Sequence, residues 1–288
     1  MPATDRPSER RASPDRSDLP PPMVRRALAF LARRSTSVLT YHGVADLPLS
    51  EDPYRLMIPS ERLRAQIAAL RAAGVEFVTV AELWRRTVDG SPPHGLVALT
   101  FDDAFLNLLD PLLSLAEEGV PTTVYAVTDW IGGLHPRFDD PEHASILTGE
   151  QLRELAEAGV EIGGHTVSHP DLSTLTYRRC LDELRDCREQ LESTIGLPVL
   201  TAAYPFGRYS EAAMRAAEEA GYQVAVAEEG GRGWEPLAMF RASLGRGESW
   251  PAFTVKATGR WQAISASGGG RLARSAVNRL RRRNGSAP

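Results

Sequence analysis

Two adjacent aspartates and two histidines four residues apart have the types and spacing that could build a metal site in this 288-residue chain. Asp102 and Asp103 follow the apolar run LVALTF, and His165 and His169 come after the run VEIGG. One carboxylate and two imidazoles form a three-ligand set with an open coordination position, which is typical of a catalytic zinc-like site. The second carboxylate could then take a proton from the bound water. These residues predict metal-assisted hydrolysis.

Each half of the pattern has a plainer interpretation. The aspartates could be a helix N-cap and a first-turn carboxylate, and the histidines could lie on a solvated turn. Other polar residues favour a site, because they also follow apolar runs. His42 follows SVLTY, whereas Tyr204, Pro205 and Phe206 follow VLTAA.

Elements that could position these residues alternate along the chain. Short β-branched runs alternate with segments of helical period, which predicts parallel strands joined by right-handed crossovers. The expected fold is α/β, a distorted (β/α) barrel of seven or eight parallel strands, with an open doubly wound sheet as the alternative. In a barrel the carboxyl ends of the strands share one rim, so these segments would converge. The predicted strands are 37–41, 75–80, 96–101, 122–127, 160–164, 199–203 and 222–226.

Four motifs carry a family resemblance: YHGV at 41–44, TFDD at 100–103, HTVSH at 165–169 and YPFG at 204–207. In this order they resemble the NodB-homology polysaccharide deacetylases, carbohydrate esterase family 4, in the branch with a YPFG third motif. The resemblance covers about residues 37–245. It implies a metal-dependent hydrolase that removes N-acetyl groups from an amino sugar or glycan.

The resemblance also implies roles for individual residues. Asp103, His165 and His169 would bind the metal, Asp102 would be the general base, and a backbone N–H at Tyr204 would hold the oxyanion. Zn²⁺ is the expected ion, and Co²⁺, Mn²⁺ or Ni²⁺ suit the same ligands.

Three departures from the family pattern concern the rest of the machinery. Ala104 replaces the glycine that usually follows TFDD, so the chain is expected to turn there without a positive φ. Alanines stand where many members have an arginine paired with the base, and Arg241 is the candidate replacement. The late histidine that protonates the leaving amine is absent.

His42 is the first candidate for the missing acid, because it ends a predicted strand on the same rim. His135 and His143, in the loop 128–148, are the alternatives. That loop also carries Trp130, a candidate substrate contact.

The expected substrate is an N-acetylated sugar, free or in a glycan, contacted by Trp130, Tyr204, Pro205 and Phe206. Two other hypotheses stay open: an amidohydrolase acting on a small non-sugar amide, and a metal- or glycan-binding protein without catalysis.

The chain ends differ in composition from its centre. Residues 1–22 are predicted to be a disordered leader, 23–36 a basic amphipathic helix, 37–259 the deacetylase barrel and 260–288 a basic appendage. The basic ends could contact an anionic membrane surface. The net charge of −4 does not indicate a nucleic-acid partner, and the sequence does not predict the oligomeric state.

Cys180 and Cys187 lie seven residues apart in a helical segment. On a helix this is about 10 Å, too far for a disulfide, so two free thiols are expected. Free thiols suit a cytoplasmic protein, with peripheral contact at the inner membrane surface as an extension. The apolar stretch near Met23 is not expected to be a signal peptide.

Overall fold

The computed structural model describes residues 19–87, 92–228 and 234–266. Most of the predicted leader 1–22 and of the basic appendage 260–288 lies outside these residues. Among the helices of the described segments, none is long and apolar enough to cross a membrane.

Parallel strands form the centre of the molecule. In chain order they are β1 (Ser37–Tyr41), β2 (Gly43–Val44), β3 (Met57–Ile58), β4 (Glu76–Val78), β5 (Leu96–Phe101), β6 (Thr122–Ala126), β7 (Glu161–Gly164), β8 (Thr201–Ala203), β9 (Val224–Ala227), β10 (Met239–Phe240) and β11 (Ala242–Ser243).

Helices surround these strands and occupy most of the segments between them. They are α1 (Pro22–Ala32), α2 (Ser60–Ala72), α3 (Val80–Arg85), α4 (Leu109–Glu117), α5 (Pro141–Ala144), α6 (Gly149–Glu157), α7 (Tyr177–Ile195), α8 (Glu211–Glu219), α9 (Trp250–Ala257) and α10 (Arg260–Ala266).

The main sheet runs in the order β10, β9, β8, β7, β6, β5, β1, β11, and β4 pairs with β5 beside that path. β10 and β11 are the two halves of the single segment 239–243. The first half pairs with β9 and the second with β1, all in parallel. This segment therefore joins the two ends of the sheet and nearly closes it. The predicted (β/α) barrel is confirmed.

The helices begin and end at residues suited to those positions. Thr148 and Gln151 form a capping box at the start of α6. The Thr176 side chain caps α7, which ends at Gly196 in the left-handed region, φ 73°. The buried face of α7 packs on β7 and includes Cys180 and Cys187. Both thiols are free, as predicted.

Two segments differ from the sequence prediction. The strand expected at 75–80 is only Glu76–Val78, because the Thr79 side chain accepts a hydrogen bond from Glu82 and starts α3 instead. The loop 128–148 contains a 3₁₀ turn at Thr128–Trp130 and the helix α5. The backbone of Leu147 donates to Ala104 at 2.9 Å, so this loop lies against the turn that follows TFDD.

The helix α1, predicted at 23–36, packs against α2 and α9. Its buried residues are Leu28 and Ala32. On its outer side Met23 is 82% exposed and Phe30 is 59% exposed.

Candidate active site

The polar residues predicted to converge lie together at the carboxyl ends of neighbouring strands. β1 and β5 are in register at Tyr41 and Phe101, and the Asp102 N–H donates to the Tyr41 carbonyl at 3.0 Å. The His165 N–H continues the pairing of β6 with β7, donating to the Ala126 carbonyl at 2.9 Å. The site is therefore built on the most regular part of the barrel.

Asp103, His165 and His169 face one another. Asp103 Oδ1 lies 3.7 Å from the Nε2 atom of each histidine, and one potential ligand atom from each residue lies within 4.8 Å of the others. His165 Nδ1 is 2.8 Å from the Ala203 carbonyl, which leaves Nε2 directed toward the carboxylate.

Asp103 Oδ1 is buried and has no hydrogen-bond partner. A buried carboxylate oxygen without a donor is costly, whereas a cation between it and the two imidazoles would satisfy all three. The donor set therefore fits a divalent metal with an open position.

In the TFDD and HTVSH turns the backbone is held in the left-handed region at four non-glycine residues, and Phe206 of the YPFG turn, φ 59°, is another. The φ values are 67° for Asp103, 53° for Ala104, 70° for Thr166 and 60° for His169. The expectation that Ala104 turns without a positive φ is therefore wrong. Such conformations cost about 1 kcal/mol or more each and persist where the surrounding structure enforces them. Here the backbone hydrogen bond from Leu147 to Ala104 is one such constraint.

The HTVSH turn is held from α7 by a residue that the sequence analysis did not single out. Glu183 accepts the backbone N–H groups of Val167 and Ser168, each at 2.9 Å, and the Ser168 hydroxyl at 2.7 Å. The Thr166 hydroxyl accepts the N–H of His169. A carboxylate inside a long, charged helix carries no sequence signal for this role.

Asp102 is clamped by Arg241, which lies between β10 and β11. Its two terminal nitrogens donate to the two carboxylate oxygens at 2.6 and 2.5 Å, and both side chains are buried. Burial acts to raise the pKa of Asp102, but the charge and hydrogen bonds of Arg241 hold it below its usual value. Asp102 is therefore kept ionised beside Asp103 and His165.

Two of the candidate ligands, Asp103 and His169, have pKa values shifted in the direction that metal binding requires. Burial acts to raise the pKa of Asp103, yet the hydrogen bond from His135 and the nearby imidazoles lower it. Burial, together with the charge of His165, lowers the pKa of His169 to about 3. A neutral imidazole beside an ionised carboxylate is the form that binds a cation.

The structure separates the three acid candidates. His42, half-buried at the end of β1, lies near enough for its charge to lower the pKa values of both Asp102 and Asp103. His135 is buried, with Nε2 3.5 Å from Asp103 Oδ2. His143 instead faces the carboxylates of Glu51 and Asp140.

One expected oxyanion donor is not free. The Tyr204 N–H already donates to the Val226 carbonyl at 3.1 Å, so the role expected of it is wrong. Pro205 has no N–H, and the Gly207 N–H donates to Tyr204. The N–H of Phe206 is the remaining donor of the YPFG turn.

The aromatic candidates divide into two groups. The Tyr204 ring is buried and its hydroxyl donates to the Leu237 carbonyl at 2.8 Å, so it packs rather than faces a ligand. The rings of Trp130 and Phe206 lie 5.1 and 4.7 Å from that of His169. Phe206 is 40% exposed. These two rings form walls beside the histidine.

Comparison with known proteins agrees with this geometry. The family model for polysaccharide deacetylase matches residues 89–225, which include the TFDD, HTVSH and YPFG motifs but neither His42 nor Arg241. YxkH of Bacillus subtilis (strain 168), named as a polysaccharide deacetylase, is 29% identical over 221 residues, 75% of this chain and 74% of YxkH.

Solved structures share the fold. The deacetylase PplD of Streptococcus pyogenes, in complex with acetate, superposes with a TM-score of 0.65 at 22% identity, covering 77% of this chain and 97% of PplD. IcaB from Ammonifex degensii gives a TM-score of 0.63 at 23% identity, covering 78% of this chain and 97% of IcaB. In the sequence of its motifs the chain is therefore similar to the polysaccharide deacetylases, and it shares its barrel fold with solved deacetylases.

Proposed function

We propose that this protein is a polysaccharide deacetylase that uses a divalent metal bound by Asp103, His165 and His169 to remove N-acetyl groups from an amino sugar or glycan. The observation that supports it most directly is Asp103 Oδ1, which faces both imidazoles at 3.7 Å without a hydrogen bond. Beside it stands an ionised Asp102 that is not needed as a ligand.

The roles of the chain's own residues follow from their contacts. A bound divalent ion would acidify a water molecule and polarise the acyl oxygen. Asp102 accepts the proton of the attacking water, and Arg241 keeps it ionised and oriented. The Phe206 N–H stabilises negative charge on the acyl oxygen. His42 donates a proton to the leaving amine.

The substrate class is supported by two aromatic rings beside the proposed metal ligands, the exposed Phe206 and the half-buried Trp130. Phe206 and Trp130 offer apolar faces on which a sugar ring can stack, and YxkH carries the name of a polysaccharide deacetylase. An N-acetylated glycan is the substrate that combines these features.

The test is acetate release from chitooligosaccharides and from a small aryl acetamide, by metal-free protein and by protein reloaded with Zn²⁺, Co²⁺, Mn²⁺ or Ni²⁺. Metal-dependent release from the sugars, lost in Asp102→Asn, is expected, with Zn²⁺ as the resident ion in metal analysis. Release from the aryl acetamide alone would favour a small-molecule amidohydrolase. Metal binding without release from any N-acetyl compound would contradict catalysis.

We also propose that the chain is cytoplasmic and contacts the anionic inner membrane surface through α1. Met23 and Phe30 are exposed on this helix, and Arg25, Arg26 and Arg34 are exposed beside them, which is the pairing that favours an interfacial helix. Co-sedimentation with anionic vesicles should fall at high salt and in Met23→Ser/Phe30→Ser. Binding that is independent of lipid charge would contradict the proposal.

A further inference from the structure

His135 lies in the loop 128–148 but is only 2% exposed. Its ring stacks on Phe105 at 4.9 Å between centroids and meets the edges of Trp130 at 4.7 Å and Phe138 at 5.5 Å. Three aromatic side chains therefore hold one imidazole in a fixed orientation and exclude water from it.

The two ring nitrogens of His135 have different neighbours. Nδ1 accepts the backbone N–H of Arg137 at 3.2 Å. A nitrogen that accepts a hydrogen bond carries no proton, so the neutral ring carries its hydrogen on Nε2. Nε2 lies 3.5 Å from Asp103 Oδ2, so the Nε2–H can donate a hydrogen bond to that oxygen.

The two oxygens of Asp103 thus have separate environments. Oδ2 faces the His135 donor, and Oδ1 faces His165 and His169 with no donor of its own. A carboxylate held at one oxygen cannot rotate freely, and partners of this kind orient metal ligands.

We infer that His135 is a positioning residue that holds Asp103 so that a single oxygen, Oδ1, is presented to the metal. His135 is not itself a ligand, because the nitrogen facing the site carries a hydrogen. It is also not the acid for the leaving amine, because it is buried and faces Asp103. This inference rests on the proposed metal site.

The experiment compares metal affinity in metal-free protein, by competition with a chromophoric chelator, for wild type and three variants. His135→Leu removes the N–H donor and fills its place among the aromatic rings with an apolar side chain of similar bulk. His135→Gln keeps an N–H donor near the position of Nε2. His143→Gln is the matched control, since His143 lies in the same loop and faces Glu51 and Asp140.

We expect His135→Leu to lose about 10- to 100-fold in Zn²⁺ affinity, and His135→Gln to retain most of it. His143→Gln should match the wild type. The Co²⁺ absorption spectrum should change in His135→Leu and be restored in His135→Gln. Circular dichroism and urea unfolding of the metal-free proteins separate a loss of affinity from a loss of fold.

Equal affinity of His135→Leu and wild type would overturn the inference, and so would a His135→Gln variant as weak as His135→Leu. Nitrogen-15 NMR of the wild type tests the geometry without any substitution, since it reports which ring nitrogen of His135 carries the hydrogen. A hydrogen on Nδ1, or a metal bound at Nε2, would also overturn it. A wild type that binds no metal would instead refute the proposed metal site.

Discussion

Asp102 and Asp103 are neighbours in the chain, but their surroundings give them different chemistry. Asp102 has both oxygens bound by the Arg241 guanidinium, whereas Asp103 has one oxygen without any hydrogen bond. A carboxylate whose charge is balanced by a guanidinium is poorly suited to ligate a second cation, but each oxygen keeps a lone pair that can accept a proton. The proposed division between base and ligand therefore follows from Arg241, which lies 139 residues from Asp102.

Replacement of Arg241 should shift the pH dependence of catalysis. Arg241 lowers the pKa of Asp102, so in Arg241→Met the pKa rises and the base is protonated at higher pH. The acidic limb of the kcat/KM profile should move to higher pH, and unfolding in urea should show a loss of about 3–5 kcal/mol, since a buried charge loses its partner. In Arg241→Lys, both the position of the acidic limb and the free energy of unfolding should fall between those of the wild type and Arg241→Met.

Arg71→Met is the matched control for Arg241. Arg71 pairs with Glu118 on the surface, where the side chains are 50% and 33% exposed, so its loss should cost no more than about 1 kcal/mol. An acidic limb that stayed in place in Arg241→Met would show that Arg241 does not set the protonation of Asp102.

His42→Ala tests the proposed acid. A general acid contributes about 10²- to 10⁴-fold to turnover, so kcat on an N-acetyl sugar should fall by that order while Zn²⁺ affinity stays near that of the wild type. An activated ester, whose leaving group needs no proton, should be hydrolysed with a much smaller loss. The comparison variant is His143→Ala. Unchanged sugar turnover in His42→Ala would remove His42 from the mechanism.

At the scale of elements, the HTVSH turn, which carries the proposed ligands His165 and His169, depends on α7, a helix that carries none of the proposed ligands. α7 packs on β7 and supplies Glu183, which accepts three hydrogen bonds from Val167 and Ser168. His169 has φ 60°, a conformation that this anchoring helps to maintain. The geometry of the proposed metal site is therefore coupled to the packing of α7 on the barrel.

Glu183→Ala should loosen this turn. Hydrogen bonds to a charged group are worth about 1.5–3 kcal/mol each, although Ser168 is exposed and part of this is lost to solvent. We expect a loss of about 1–3 kcal/mol in the free energy of unfolding and weaker Zn²⁺ binding, measured by urea titration and chelator competition. Glu189→Ala, on the same helix at a residue whose side chain is 67% exposed, is the control. Equal Zn²⁺ affinity in the two variants would mean that the turn holds its shape without Glu183.

At the scale of the whole molecule, the barrel is joined by a short segment rather than by a full strand. Residues 239–243 pair with β9 and then with β1, and Arg241 lies at the change of partner. The segment that completes the barrel thus also places the Arg241 guanidinium against Asp102, the proposed base.

The reactivity of the two cysteine thiols reports whether α7 stays packed on β7. Burial raises the pKa of Cys187 to about 12 and also raises the pKa of Cys180, so both stay protonated and inaccessible at about pH 8. Native protein should therefore react with essentially none of its two thiols in an iodoacetamide assay, and with both after denaturation. Rapid labelling of one thiol in native protein would show that α7 separates locally from β7.

The sequence by itself determined the fold class and the set of candidate site residues. Strand–helix alternation implied a barrel, and the residues after the strand ends implied one rim, because parallel strands all end on the same side. The residues of the TFDD and HTVSH motifs are close together in sequence, so the candidate ligand set could be predicted without the tertiary structure.

The tertiary structure decided which partners meet across long separations and which backbone groups are already used. The clamp of Arg241 on Asp102 and the approach of His135 to Asp103 depend on barrel closure and loop packing, which no local pattern encodes. The sequence predicts no positive φ at Ala104 and a free N–H at Tyr204, and both predictions are wrong. At Ala104 the packed loop 128–148 stabilises a conformation that alanine alone would avoid. At Tyr204 the pairing with Val226 uses the N–H, and that pairing exists only in the folded barrel.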